Sequence, residues 1–321
     1  MSKAAIIWLV IAGVLTVVGA AVFILAMSAH NWDFSNLQTD TYEKNVLKPE
    51  GEFENISINV HTTKTTLLPS EDGTLKIECF EAEKMKHTAS VTGDTLFIEV
   101  EDNRKWYEHI GIITGSPAVT VYLPDDIYSS LSVETNTGDV TVSKELSFSS
   151  VEIEGDTSDV NCLSKITKKL EIETDTGSIN VENAECEKIS LLSDTGNITV
   201  KKSSTEGDIK IETDTGKTKL SGVFCKDFFA ESNTGDLILE SVIASGKISV
   251  ETDTGDVVFE SSDADSLFIE TSTGDITGTL LTEKVFVIDT STGDISVPKT
   301  TNGGKCMITT STGDIDIDIA A

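Results

Sequence analysis

Leu131-Ser-Val-Glu-Thr-Asn-Thr-Gly-Asp139 is the stretch that decides the fold, because the chain after it keeps returning to the same words. Thr-Gly, mostly within Thr-x-Thr-Gly-Asp, recurs at Gly138, Gly177, Gly196, Gly216, Gly235, Gly255, Gly274, Gly293 and Gly313, and Ser158 in Asp156-Thr157-Ser158-Asp159 fills the one gap. Successive positions lie 19 or 20 residues apart. So regular a period marks a repeat architecture in which each unit buries its apolar face against its neighbours.

With each glycine as position zero, positions −7 and −5 are apolar, as in Leu131 and Val133, Leu170 and Ile172, or Phe286 and Ile288. Positions +2 and +4 repeat the pattern with Val140 and Val142, Ile179 and Val181, or Ile315 and Ile317. Period two on both sides of a turn means two short half-buried strands per unit. A weaker third alternation at +7 and +9 uses Ala184 and Cys186, or Val223 and Cys225. Three inward faces in one period describe a coil of a parallel β-solenoid. The fold class expected is therefore all-β, a solenoid of about ten coils of 19–20 residues over 131–321. A propeller blade needs roughly 40 residues, and the Leu/Asn consensus of a leucine-rich repeat is absent.

The turn columns have local explanations. Glycine takes φ > 0 without steric cost, and the Asp after it, as in Asp139 or Asp275, is expected to bond its own turn. Threonine stands at −1 in all ten units, Thr137 to Thr312, and reads as a stacked hydroxyl ladder at the corner. Ser158 is expected to be the most strained corner. Residues 51–130 alternate less regularly and read as an N-terminal β cap over one end. At the far end Asp314, Asp316 and Asp318 alternate with Ile315, Ile317 and Ile319, outward charges that would discourage edge-to-edge growth.

Ahead of the repeats, Ile6 to Met27 is a nearly unbroken apolar run. It is long enough to cross a bilayer and longer than the apolar core of a cleaved signal peptide, the rival reading that Ala26-Met27-Ser28-Ala29 suggests. Residues 1–28 are thus expected to be one transmembrane helix, and 29–50 a polar stalk. Lys3 precedes the span, while Asp33, Asp40 and Glu43 outnumber Lys44 after it, a bias that places the C-terminal domain outside the cell.

Lys plus Arg total 24 against 54 Asp plus Glu, a net charge of −30, which excludes nucleic acid as a partner. No catalytic, cofactor or metal site is expected: 131–321 lacks His, Arg, Trp and Tyr, and its carboxylates recur at every coil without converging. Specific calcium binding is disfavoured because acids exchange between positions −2 and +1 along the rod, which spreads charge. The five cysteines fall at inward positions and read as buried free thiols. Asn103 to His109 is the least repetitive stretch, and its Arg104, Trp106 and Tyr107 are of the types that dominate interfaces; the alternative is a loop packed on the cap.

From about residue 50 onward the chain resembles the bacterial β-strand-repeat proteins labelled "putative adhesin" and grouped as domain of unknown function 4097. The matching features are the irregular opening strands, Val121-Tyr-Leu-Pro124, and Leu131 to Asp139 with its successors. The resemblance implies fold and frequent membrane anchoring, and for some members association with envelope-stress systems. It brings no functional residues. The function expected is a membrane-anchored surface module for interaction or structure, without catalysis or cofactor, whose partner is an unknown protein or envelope component. An envelope-stress accessory acting on a membrane partner is the alternative, and a carbohydrate-active β-helix enzyme is disfavoured by the missing side chains.

Overall fold

A computed structural model describes residues 3–29, 42–105, 115–125 and 127–320. The chain forms two compact units, one from 1–42 with 103–115 and the other from 43–102 with 116–321. The first contains the helix Lys3–Ala29, of which Ala5–Ala29 is long and apolar enough to cross a membrane, with mean hydropathy 2.8. The second is a parallel β-solenoid of about ten turns, as the repeat predicts.

Each coil stacks on the next in register. Leu170 sits on Val151 and under Ile189, and Ile179 sits on Val160 and under Ile198. The inward rows at −7, −5, +2 and +4 fuse into one core that runs the length of the stack, with Leu170, Ile179, Ile198 and Ile209 sealed from solvent. All five cysteines are buried and none is in a disulfide. Burial pushes the Cys162 and Cys186 thiols up to about 11 and the Cys79, Cys225 and Cys306 thiols up to about 12.

The order of coils in space departs from their order in sequence at both ends. Asn55–Val60 and Lys64–Pro69, expected as part of an irregular cap, form a regular coil. Ile56 lies between Leu96 and Leu131, and Leu67 between Val121 and Val142. The first coil is thus inserted between the two that follow it in sequence, that of Leu96 and Val121 and that of Leu131 and Val142. At the other end the last coil is inserted between the two that precede it in sequence: Cys306 lies between Leu267 and Phe286, and Ile315 between Ile276 and Ile295. This corrects the expectation that Asp314, Asp316 and Asp318 guard the far edge. They belong to an interior coil, and the outermost strands are Lys284–Thr292 and Ile295–Ser296.

Glycine permits the insertion. A Cβ on Gly304 would overlap the Asp265 carbonyl oxygen, and one on Gly303, at φ 101°, would overlap that of Glu283. Through the gap Lys284, 3 % exposed and opposite Gly304, reaches Asp263 at 2.5 Å and Thr282 at 2.6 Å. The outermost coil is therefore tied by a buried ion pair to strand Val257–Thr273 beyond the inserted one.

The end where the chain enters is closed differently. Lys76–Ala82 runs antiparallel to Ala118–Leu123, and Met85–Thr92 antiparallel to Thr95–Asp102, so two strands cover the last parallel edges. Tyr42–Leu47, at the end of the segment expected as a stalk, is a strand that pairs with Lys76–Ala82.

Candidate functional site

The corner columns differ in chemistry from the sequence reading. The Asp at +1 does not bond its own turn; it accepts a backbone N–H from the next coil. Ser178 N–H donates to Asp159 Oδ1 at 2.7 Å, Asp275 N–H to Asp256 at 2.9 Å, Asp314 N–H to Asp275 at 2.8 Å and Asp294 N–H to Asp314 at 2.8 Å. Asn197 accepts the Lys217 N–H at 2.9 Å in the same way, and among the described residues no such bond is made to the side chain of Ser178 or Lys217. The column is a string of hydrogen-bond acceptors that an amide serves as well as a carboxylate, which accounts for its acids without a metal.

The threonines at −1 are exposed, and the hydroxyl ladder lies at −3 instead. Ser193 Oγ donates to the Gly177 carbonyl at 2.9 Å, Thr174 to Ser158 at 3.3 Å and Thr310 to Gly274 at 3.3 Å. Thr213, Ser232 and Thr252 continue the column with buried hydroxyls that find no partner. The Gly at zero is needed because the neighbouring corner's carbonyl stands where its Cβ would be, as Gly177 O does for Gly196.

On the outside of the first strand, −4 and −2 make an acidic face. Glu134, Asn136, Glu154, Asp156, Glu173 and Asp175 line one shallow groove, and Asp194, Glu212, Asp214, Glu231 and Asn233 line another. Glu154 pairs in register with both Glu134 and Glu173. Like charges about 4.8 Å apart repel by about 1 kcal/mol even in water. Side-chain amides interleave at two rungs, Asn136 on Asp156 at 2.8 Å and Asn233 on Asp214 at 2.9 Å, and relieve part of this. The face offers repeated, equivalent acceptors and no convergent catalytic set.

Convergent chemistry does occur under the first coil. The His87 backbone N–H donates to Glu81 Oε2 at 2.7 Å, the His87 ring Nδ1 meets the same oxygen at 3.0 Å, and its Nε2 meets Thr63 Oγ1 at 3.0 Å. Asn45 donates to Glu81 Oε1 at 3.1 Å and Lys86 Nζ stands 3.4 Å from it. Burial drives the His87 pKa down against the pull of Glu81, so the neutral ring donates from Nδ1 and accepts the Thr63 hydroxyl at Nε2. Burial also works against the Glu81 carboxylate, but the His87 backbone, the His87 ring and Asn45 together hold its pKa below the usual range.

Hydroxyl, imidazole and carboxylate in a hydrogen-bonded line match the order of nucleophile, base and orienting acid. Here the His87 and Glu81 side chains have no exposure and Thr63 is fully buried, so no substrate reaches the hydroxyl in this conformation. Cys79, Glu81 and His87 also offer sulfur, oxygen and nitrogen atoms within 4.8 Å of one another, a set able to hold a metal ion. Ligation would displace a hydrogen bond already made at either ring nitrogen and strip a proton from a thiol raised to about 12.

Sequence reading passed over this cluster, yet parity marks it: Glu81 continues the inward series Ile77, Cys79, and His87 continues from Met85. Of the residues singled out as a partner contact, Arg104 is half-buried and Trp106 and Tyr107 lie outside the described residues.

A "putative adhesin" from Parabacteroides merdae superposes with TM-score 0.51 at 12 % identity, covering 75 % of this chain and 97 % of that one. Another from Parabacteroides distasonis gives 0.50 at 13 %, covering 84 % and 97 %. Among functionally curated proteins none matches. The Toastrack DUF4097 family model matches residues 53–216 and 198–321, nearly the whole solenoid, and the chain belongs to that family.

Proposed function

We propose that this chain is a single-pass membrane protein whose solenoid faces outward and serves as an interaction or structural module, with no catalytic role. The observation that carries the reading is the solenoid's exterior, in which an acid at −4 or −2 recurs in each coil from Glu134 to Asp289 without convergence on one point. Such a surface suits extended contact and repels anionic partners, whereas catalysis needs unlike groups gathered at one point. The polar cluster that does gather unlike groups is closed to solvent. The apolar helix supports anchoring, and Lys3 ahead of it supports an inward amino terminus.

The buried state of every native cysteine makes a clean test available. Thr176→Cys places a thiol in the exposed −1 column. A membrane-impermeant thiol reagent carrying a photo-crosslinker is expected to label it on intact cells and, after illumination, to capture a protein or envelope component. Labelling only after lysis would overturn the location. Labelling on intact cells without any crosslinked adduct would overturn the interaction role.

A further inference from the structure

The two ends of the solenoid are finished in different ways, and the difference identifies an occupant for one of them. Where the chain enters, antiparallel strands Lys76–Ala82 and Met85–Thr92 close the last parallel edges. At the other end Lys284–Thr292 pairs with Gly304–Thr312 on one side and, among the described residues, with no strand on the other. Apart from the Lys284 carbonyl, which accepts the Thr300 hydroxyl, the backbone donors and acceptors on that side of this nine-residue strand face no other strand among the described residues. Val285 and Val287 are 38 % and 48 % exposed, and Phe286 and Ile288, on the inward row, are only partly covered.

Natural sheets blunt such edges with brevity, proline or charge. The second face of the same coil is blunted, since Ile295–Ser296 is two residues long and Pro298 follows. The first face is not. From Lys284 to Lys299 two lysines match Asp289 and Asp294, so this segment is neutral in a chain of net charge −30. Lys284 itself is turned inward onto Asp263. Two copies that repel along their acidic flanks meet least opposition here.

We propose that Lys284–Thr292 is a self-association edge, occupied by the same strand of a second copy running antiparallel about a two-fold axis at Val287. A two-fold contact between identical strands is antiparallel of necessity, and antiparallel pairing is how this solenoid closes its opposite end. Centring on Val287 sets Phe286 across from Ile288 of the second copy, which continues the inward row through the junction. It also sets Asp289 across from Val285, so that the two Asp289 carboxylates do not oppose each other.

The full chain in detergent micelles, followed by light scattering or sedimentation, is expected to dimerise. Val287→Lys puts two like charges face to face on the axis and abolishes the dimer, while Ile127→Lys, at another exposed apolar residue, leaves it intact. Val287→Cys is expected to form a disulfide with its own counterpart, because directly opposed residues lie about 4.5–5.5 Å apart at Cα, within bridging range. Ile127→Cys is expected to form none. A monomer at all concentrations, a dimer indifferent to Val287→Lys as association through the apolar helix would give, or no crosslink at 287 overturns the proposal. These readouts are independent of which side of a membrane the solenoid occupies.

Discussion

Gly155 and Ser158 have exchanged the roles that their columns hold elsewhere. In neighbouring coils −3 is a hydroxyl residue, Thr135 or Thr174, and zero is Gly138 or Gly177. In this coil the glycine is at −3 and a serine stands at the corner. A Cβ on Gly155 would lie 2.8 Å from Ser158 Oγ, so the Ser158 side chain fills the pocket that a −3 hydroxyl residue would take. Ser158 is 1 % exposed and is not among the residues with positive φ, which corrects the expectation of a strained corner: the inward turn of its side chain removes the need for a glycine conformation.

Gly155→Thr is therefore expected to destabilise by about 1–3 kcal/mol through overpacking. Ser158→Gly alone leaves the pocket empty. The double substitution restores the arrangement of the other coils and recovers most of the loss, a non-additivity that thermal melts of the four proteins measure.

The Lys284 and Asp263 pair fastens the outermost coil. Lys284→Met strands Asp263 as a buried carboxylate, and breaking one partner of such a pair costs about 3–5 kcal/mol. The loss is expected to stay local, as faster amide hydrogen exchange across 284–296 with the middle coils unchanged. Replacing Asp263 by Ala as well is expected to return much of the protection.

Acid is expected to loosen the entry end first. The His87 pKa is depressed on folding, so its contribution is complete above the ordinary value of 6.5 and is lost as pH falls through the lower folded value. Glu81 adds a second loss below 4.5, its pKa also being lowered. Hydrogen exchange at 76–102 should rise as pH is lowered from 7 towards 4. His87→Gln, which cannot charge, should flatten the first part of that rise.

Asp275 tests whether the +1 column works as charge or as acceptor. Its Oδ1 takes the Asp314 N–H, and Asn197 shows that an amide does the same. Asp275→Asn is expected to leave the melting temperature nearly unchanged, and Asp275→Ala to cost about 1 kcal/mol. An equal loss in both would mean that the charge itself matters.

The coil, its period, its inward rows and its buried thiols were legible in the chain because each follows from local rules: period two along a strand and glycine where backbones crowd. Leu131 and Val133 announce their face to any reader of the sequence. Which hydroxyl turns inward was less legible, since −3 and −1 are both threonine in most coils and only the corner's bend separates a buried residue from an exposed one. The Glu81 and His87 cluster left a mark, polar residues on an inward parity, but its convergence needed the two antiparallel strands that carry it to come up against Thr63 of the first coil.

The order of the end coils lay beyond the repeat altogether. Gly274, Gly293 and Gly313 are spaced like every other pair, so nothing in the period says that the last coil slips between the two before it. Pro298 and the Gly303-Gly304 pair are the residual signs, one marking an edge and the other a crowded crossing. Near-identical coils can stack on one another in more than one order at similar local energy. Tertiary structure decides among them through Lys284 reaching Asp263 and the glycines that admit the inserted strand.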